Sequence, residues 1–396
     1  MIVQKYGGSS LETTEKIIQV AKKIIERKKT TRNIIVAVSA MGKTTDRLIE
    51  LAKEISPEPI ERELDVLLSI GEQQTISLLS MALNNLGHKA VSLTGAQAGI
   101  NTKGNYTRAS IEDIEKSIIK KYLEEGNIVV VAGFQGVNEK GDITTLGRGG
   151  SDTTAVALAA KFNCPCEIYT DVDGIYSIDP RLYEESCKIS KINYDIALEM
   201  ARLGAKVVDK RALVLGKRYE VPIYVGDSFK DQLGTRIGGE SMEDLKILSL
   251  MVDDNQVEVR IKNIPNKIDK LSNVFRILGR YNLDIGMTEN NLIDEDINIS
   301  FICSKEHMKL FPSIKKDIVN NVDRLINLEI NNTTRISIVG TGRINQAKVT
   351  SEIFDIVKEF GMKYKKFCTS ELSLSYYFEK VEVKNLIHRL AKNFNL

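Results

Sequence analysis

Thr145-Leu146-Gly147-Arg148-Gly149-Gly150-Ser151-Asp152-Thr153-Thr154-Ala155 sets the frame for the whole chain. Three glycines surround one arginine, and a serine and an aspartate then open an apolar run, Val156-Ala157-Leu158-Ala159-Ala160. Glycine lets backbone N–H groups approach an anion closely, and a helix start adds its positive dipole end. A guanidinium supplies a fork that suits a carboxylate or a phosphate. The stretch therefore predicts a loop-to-helix turn that holds anionic ligands.

Outward from that turn, short apolar strands alternate with amphipathic helices. Upstream lie a strand over 2–6 and a helix over 15–27 with Ile17, Val20, Ala21, Ile24 and Ile25 on one face. A strand over 33–38, a helical stretch over 60–86 and strands over 90–93 and 128–132 follow. Downstream come a helix over 155–162, a strand over 167–170, a helix over 194–203 and a strand over 222–225. Such alternation predicts an α/β fold with a largely parallel sheet covered on both faces.

The composition changes around Gly238-Gly239-Glu240, a polar, glycine-containing linker and a candidate domain boundary. Beyond it the chain repeats itself. Val257-Glu258-Val259-Arg260-Ile261 precedes a helix with Val274, Phe275, Ile277 and Leu278. At one constant offset, Arg335-Ile336-Ser337-Ile338-Val339 precedes a helix with Ile353, Phe354, Ile356 and Val357. Two copies of a small strand-and-helix unit are expected. Val339-Gly340-Thr341-Gly342-Arg343 imitates the start of a dinucleotide fingerprint, but Asn345 stands where the third glycine belongs.

At 396 residues the chain exceeds one ordinary domain. Its net charge of +2 and lack of a basic block argue against nucleic acid as a partner. The longest apolar runs, such as 127–133, are too short to span a bilayer, so no membrane partner is expected. Met1 to Gly8 reads as a strand entering a loop rather than a signal peptide. Five scattered cysteines fit reduced thiols and a cytoplasmic location. Cys164-Pro165-Cys166 is too tight for zinc-knuckle spacing and has no second pair, so no metal site is assigned. The three histidines, His88, His307 and His388, lie outside every motif, which disfavours an imidazole base.

Two further loops carry chemistry. Lys5-Tyr6-Gly7-Gly8-Ser9-Ser10 ends the first strand with a lysine, two glycines and two hydroxyls, a set that suits polyphosphate. No Walker sequence occurs, and a plain tight turn would read the same way. Thr170-Asp171-Val172-Asp173-Gly174-Ile175-Tyr176-Ser177-Ile178-Asp179-Pro180-Arg181 also follows a strand, where ligands sit in open α/β sheets. No glutamate closes it as an EF-hand requires, and its tyrosine and arginine fit a nucleotide better.

The order of these segments, with Val38-Ser39-Ala40, Gly71-Glu72, Gly133-Phe134-Gln135-Gly136 and Gly204-Ala205-Lys206-Val207, resembles the aspartate kinases of the amino acid kinase family. The tail resembles their tandem ACT regulatory domains. The resemblance implies a three-layer αβα kinase domain with a mainly parallel sheet over 1–240. It implies two ferredoxin-like α+β ACT domains over 241–325 and 326–396, with 380–396 available to complete the first. The activity it implies is transfer of the γ-phosphoryl of ATP, with Mg²⁺, to the β-carboxylate of L-aspartate. That is the first step of the lysine, threonine and methionine branch of amino-acid biosynthesis. A carboxylate with a pKa of about 3.9 is already ionised at neutral pH and needs no base.

By the same resemblance Lys5 and Lys206 would stabilise the transferring charge, and Gly7, Gly8 and Ser9 would line the phosphate path. Thr170, Asp171, Tyr176, Asp179 and Arg181 would hold the nucleotide. Ser39, Glu72, Phe134, Arg148, Gly149, Gly150, Ser151 and Asp152 would form the substrate side. There Glu72 and Asp152 would meet the α-ammonium and Arg148 the α-carboxylate. Self-association through the ACT domains and an amino-acid effector, lysine or threonine, are implied as partners.

The chain departs from the pattern in five places. Asp209-Lys210 replaces a His-Pro pair and reads as a surface change. Gly226-Asp227-Ser228-Phe229 stands where Arg-Ser-Ser-Phe is usual. The Pro-Gly step of an effector site is missing from both 265–270 and 343–348, and Asn290-Asn291 replaces a Gln-Asn pair. These losses leave open whether an effector binds. Two alternatives also remain: a kinase of another acidic amino acid or aspartate analogue, and a weakly active regulatory paralogue.

Overall fold

The computed structural model describes every residue except 206, 231–232, 240–246, 284, 294, 323–325, 341–345, 363 and 380–382. Lys206, Glu240 of the linker and most of the incomplete fingerprint at 339–343 thus lie outside the described residues. The chain divides into two compact units. One comprises Met1–Ser177 and Cys187–Met242, the other Ile178–Ser186 and Glu243–Leu396.

The first unit is built on an eight-stranded sheet. Its order is Lys191–Ile192, Leu233–Ile237, Ile223–Asp227, Cys166–Thr170, Ile2–Tyr6, Ile34–Val38, Ile128–Ala132, Ala90–Leu93. Every pairing is parallel except that between Ile223–Asp227 and Leu233–Ile237. Central strands of a parallel sheet are buried on both faces, which explains why Ile34-Ile35-Val36-Ala37-Val38 is apolar throughout. From Ile2–Tyr6 the chain next joins the sheet on one side, and from Cys166–Thr170 on the other. The crevice between these two strands is therefore a topological switch point, where ligands of open α/β sheets bind.

Side chains alternate across the first strand. Ile2 and Tyr6 join the cluster formed by Ile17, Val20 and Ile24 of helix Thr14–Lys28 and Leu79 and Leu83 of helix Glu61–Asn85. Lys5 points to the opposite face, where helix Gly150–Phe162 is buried over its first ten residues. A helix that is apolar all round belongs in a core. Helices on both faces give the three layers expected from the sequence. Glu61–Asn85 is long and apolar enough by length and composition to cross a membrane, yet half of its most apolar window is buried inside the protein.

A smaller four-stranded sheet runs Ser110–Ile114, Ile100–Lys103, Gln135–Val137, Ile143–Thr145. The sequence pattern did not separate these short strands from loop. Their role is positional: Ile143–Thr145 delivers the chain into the Gly147–Gly150 turn.

The second unit holds one antiparallel sheet of six strands: Gly286–Ile293, Asp296–Ser304, Ile247–Pro265, Asn327–Gly340, Ser373–Glu379, Tyr364–Thr369. The two copies are not separate sheets, because the 19-residue strand Ile247–Pro265 runs through both. Its first half pairs with Arg335–Gly340 and its second half with Asn327–Thr333. Each copy keeps its own core. Val257, Val259, Val274, Ile277, Ile314 and Ile318 form one, and Ile336, Ile338, Ile353, Leu374, Tyr376 and Phe378 the other. The C-terminal helix Lys384–Phe394 buries Leu386, Ile387 and Leu390 in the second core, so it completes that copy rather than the first. Ile178 and Tyr183 are buried in the same second core, and Tyr183 meets His388 edge-on at 5.1 Å.

Candidate active site

Parallel strands deliver their carboxyl ends to one edge, and the candidate residues collect there. Gly7 follows the first strand, and its N–H donates to the Tyr169 carbonyl at 3.2 Å. Ser39 follows the second strand and donates its N–H to the Tyr6 carbonyl at 3.2 Å. Gly8 lies so close to the next loop that a Cβ there would stand 2.7 Å from the Ala40 carbonyl oxygen. That approach brings the two loops into contact at backbone distance. Ser9 is exposed, and its carbonyl accepts from Lys16.

Lys5 and Asp152 form an ion pair of 2.7 Å, each side chain 11% exposed. Asp152 lies in the first turn of helix Gly150–Phe162, where a carboxylate also gains from the helix dipole. Its second oxygen accepts the N–H of Asp209 at 3.1 Å. Gly149 has φ +73° and caps this helix in the left-handed region. A Cβ on Gly149 would fall inside the Asp209 carboxylate. Asp209 is therefore not the surface change read from the sequence. It is half-buried, caps helix Lys210–Arg218 through the Arg211 N–H, and fills the space beside Gly149. Burial and the neighbouring Asp152 raise its pKa.

Glu72 is 3% exposed. One oxygen accepts the Ala40 N–H at 3.0 Å, and the other has no hydrogen-bond partner among the described residues. A close helix contact places it there: a Cβ on Gly71 would lie 2.7 Å from the Ala40 Cβ. Burial pushes the Glu72 carboxyl up to about 8, against the opposing pull of the Ala40 N–H. A buried carboxyl lacking one partner is set to receive a cation.

Phe134 takes φ +67°, rare for a residue with a bulky side chain. Its N–H donates to Thr154 Oγ1 at 3.1 Å, and its carbonyl accepts the Leu146 N–H at 2.8 Å. Its ring leaves no room for a Cβ on Gly150. Ser151 is buried where a Cβ on Gly133 would stand 2.9 Å from its own Cβ. Arg148 is exposed, and among the described residues no hydrogen bond or ion pair holds its guanidinium.

The expected nucleotide residues divide. Thr170 and Asp171 stand at the end of Cys166–Thr170, their side chains bonded to each other at 2.9 Å. Tyr176 donates to Asp173 at 2.8 Å. That bond, with Lys230 and Lys188, holds the Asp173 carboxyl far below the usual range. Asp179 and Arg181 belong to the segment grouped with the second unit, where they pair with each other at 2.6 Å. Lys206 lies outside the described residues. Two contributors were not assigned to the site by sequence reasoning. Asp209 was named, three residues after Lys206, but read as a surface change. Asp65 could have been flagged as an acid seven residues before Glu72 on one helix face. Among the described residues no cluster of three His, Cys, Asp or Glu forms a metal cage.

Residues 1–227 match the model of the amino acid kinase family. Over its full length the chain is 41% identical to the aspartokinase of Bacillus sp. strain MGA3, covering 97% of that protein. It is 39% identical to aspartokinase 2 of Bacillus subtilis strain 168, covering 98%. Among solved structures it resembles E. coli aspartokinase III in complex with aspartate and ADP, with a TM-score of 0.81 at 22% identity over all of both chains. It also resembles aspartate kinase from Synechocystis, with a TM-score of 0.56 at 34% identity over all of this chain and 70% of that one. From the first strand to the C-terminal helix, the chain belongs to the aspartokinases of the amino acid kinase family.

Proposed function

We propose that the chain transfers the γ-phosphoryl of ATP to the β-carboxylate of L-aspartate, giving 4-phospho-L-aspartate and ADP. The observation that carries this reading is the Lys5–Asp152 pair at the switch point, together with a buried Glu72 held on the Ala40 loop with one open oxygen. The acceptor carboxylate is ionised, so the task of the site is positioning and charge stabilisation. Asp152 and Glu72 receive the substrate ammonium, and Arg148 reaches its α-carboxylate. Once the ammonium occupies Asp152, Lys5 is released toward the transferring phosphoryl group. Gly7 and Gly8 let the phosphates approach backbone N–H groups. Lys206 supplies a second cation in this scheme, and Thr170, Asp171 and Tyr176 border the nucleotide. Mg²⁺ usually keeps several waters and is bound through substrate phosphates with one or two carboxylates rather than by a dedicated protein cage. Bound with the nucleotide, it would neutralise phosphate charge during the transfer.

The direct test is ATP, Mg²⁺ and aspartate with hydroxylamine trapping of the acyl phosphate. Turnover is expected, and its absence overturns the reading. The Glu72, Asp152 and Arg148 set reads the head of an amino acid rather than its length, so glutamate belongs in the same assay. Arg148→Ala is expected to raise the aspartate KM roughly 30-fold, as for loss of a charge-assisted bidentate contact. An unchanged KM removes the assigned role. Lysine and threonine added to the assay test the effector, and molar mass in solution tests self-association.

The pH profile supplies a further expectation. In the free enzyme Glu72 is neutral below about 8, and the substrate ammonium needs its ionised form. Binding therefore expels a proton, and the aspartate KM falls as pH rises toward 8, by up to about tenfold per unit. Glu72→Gln should flatten that slope. A slope that persists in the variant assigns it to another group.

A further inference from the structure

Helix Glu61–Asn85 sends a second buried acid toward the site. Asp65 is fully buried and accepts three hydrogen bonds. Thr107 N–H reaches it at 2.9 Å, Thr145 N–H at 3.0 Å and Thr145 Oγ1 at 2.6 Å. Both donor segments lead to the glycine turn. Thr145 stands three residues before Arg148. Thr107 takes φ +62°, an outlier for a β-branched residue, and a Cβ on Gly147 would lie 3.0 Å from its carbonyl oxygen. Ala109 N–H donates to the Thr145 carbonyl at 3.0 Å, and Arg211 binds the carbonyls of Leu146 and Ala109. The strained loop is over-determined, and Asp65 is its buried anchor.

Asp65, Ser69 and Glu72 occupy positions i, i+4 and i+7, one face of the helix. The Ser69 carbonyl accepts from the Gln135 side chain at 2.8 Å, next to Phe134. The helix thus fixes the Arg148 turn at one point and the Glu72 carboxyl at another, about 10 Å apart along its axis. We infer that Asp65 is a positioning residue that sets the distance between the ammonium grip at Glu72 and the carboxylate grip at Arg148. Acceptor recognition is thereby tied to one rigid helix. This inference rests on the roles given above to Glu72 and Arg148.

The test is Asp65→Asn in the full-length chain, which keeps the volume and an acceptor for the two N–H groups but removes the charge that strengthens all three hydrogen bonds. The aspartate KM is expected to rise about tenfold or more, with kcat within about threefold and the ATP KM within about twofold. A lowered melting temperature with an unchanged aspartate KM would show a merely structural acid and overturn the inference. Parallel losses in kcat, aspartate KM and ATP KM would overturn it as well. If Asp65→Asn does not fold, Thr145→Val removes only the Oγ1 donor, and about a threefold rise in aspartate KM is expected. No rise there overturns the inference too. Arg148→Ala measured alongside separates the failures. If Arg148→Ala leaves the KM unchanged, the site reading falls. If it raises the KM while Asp65→Asn does not, only the positioning role falls.

Discussion

Lys5→Ala is expected to lower kcat roughly 10²–10³-fold, the scale for losing one preorganised stabiliser of transition-state charge. The aspartate KM should hold or fall, because Asp152 loses the cation that competes with the substrate ammonium. That sign separates the assigned role from simple disruption, in which kcat and KM worsen together. Lys5→Arg keeps the charge but replaces a compact ammonium by a planar fork, so partial recovery is expected. Steady-state trapping of the acyl phosphate at saturating ATP measures all of these. A KM that rises as steeply as kcat falls would mean that Lys5 binds substrate rather than the transferring group.

Gly149→Ala should be nearly as damaging, for a reason of space rather than charge. A side chain at φ +73° costs about 1–2 kcal/mol in backbone strain alone, and here it also collides with the Asp209 carboxylate. Relief requires Asp209 to move, and its N–H is what holds the second oxygen of Asp152. The expected result is about a 100-fold loss in kcat/KM for aspartate with a lowered melting temperature. Adding Asp209→Gly removes the collision and should restore part of the activity. It should not restore stability, because the cap on helix Lys210–Arg218 is lost and the strained φ remains. Strict additivity of the two changes would show that the contact carries no coupling.

Much of the kinase half was legible because its signals are local. An unbroken apolar run such as Ile34–Val38 announces a central parallel strand, and glycines at strand ends announce the ligand edge. Asp209 was not legible, because its direction depends on packing against Gly149, sixty residues away. Asp65 was hidden for a similar reason: its three donors come from segments about 40 and 80 residues distant. The short strands around Gln135–Val137 carry too few alternations to rise above loop. In the second unit the repeat was visible, but the shared sheet was not. Nothing in Ile247–Asp253 says that it will pair with the later copy. Asp179 and Arg181 show the limit of motif continuity, because a run of twelve residues that reads as one loop is divided between two cores.

That division changes what can be removed from the molecule. The chain leaves the first core after Ser177, contributes Ile178 and Tyr183 to the other, and returns at Cys187 before leaving again after Met242. Ser177 and Cys187 hold the neck of this excursion shut, by N–H to carbonyl at 2.8 Å and N–H to hydroxyl at 3.0 Å. A fragment ending at Met242 would carry two large apolar side chains with no core to receive them. It would be prone to aggregate for reasons unrelated to its chemistry. The remaining fragment would lack two pieces of its interior. Gene truncations that aim to free the catalyst from its tail should therefore replace 178–186 as well, since one cut does not make two proteins.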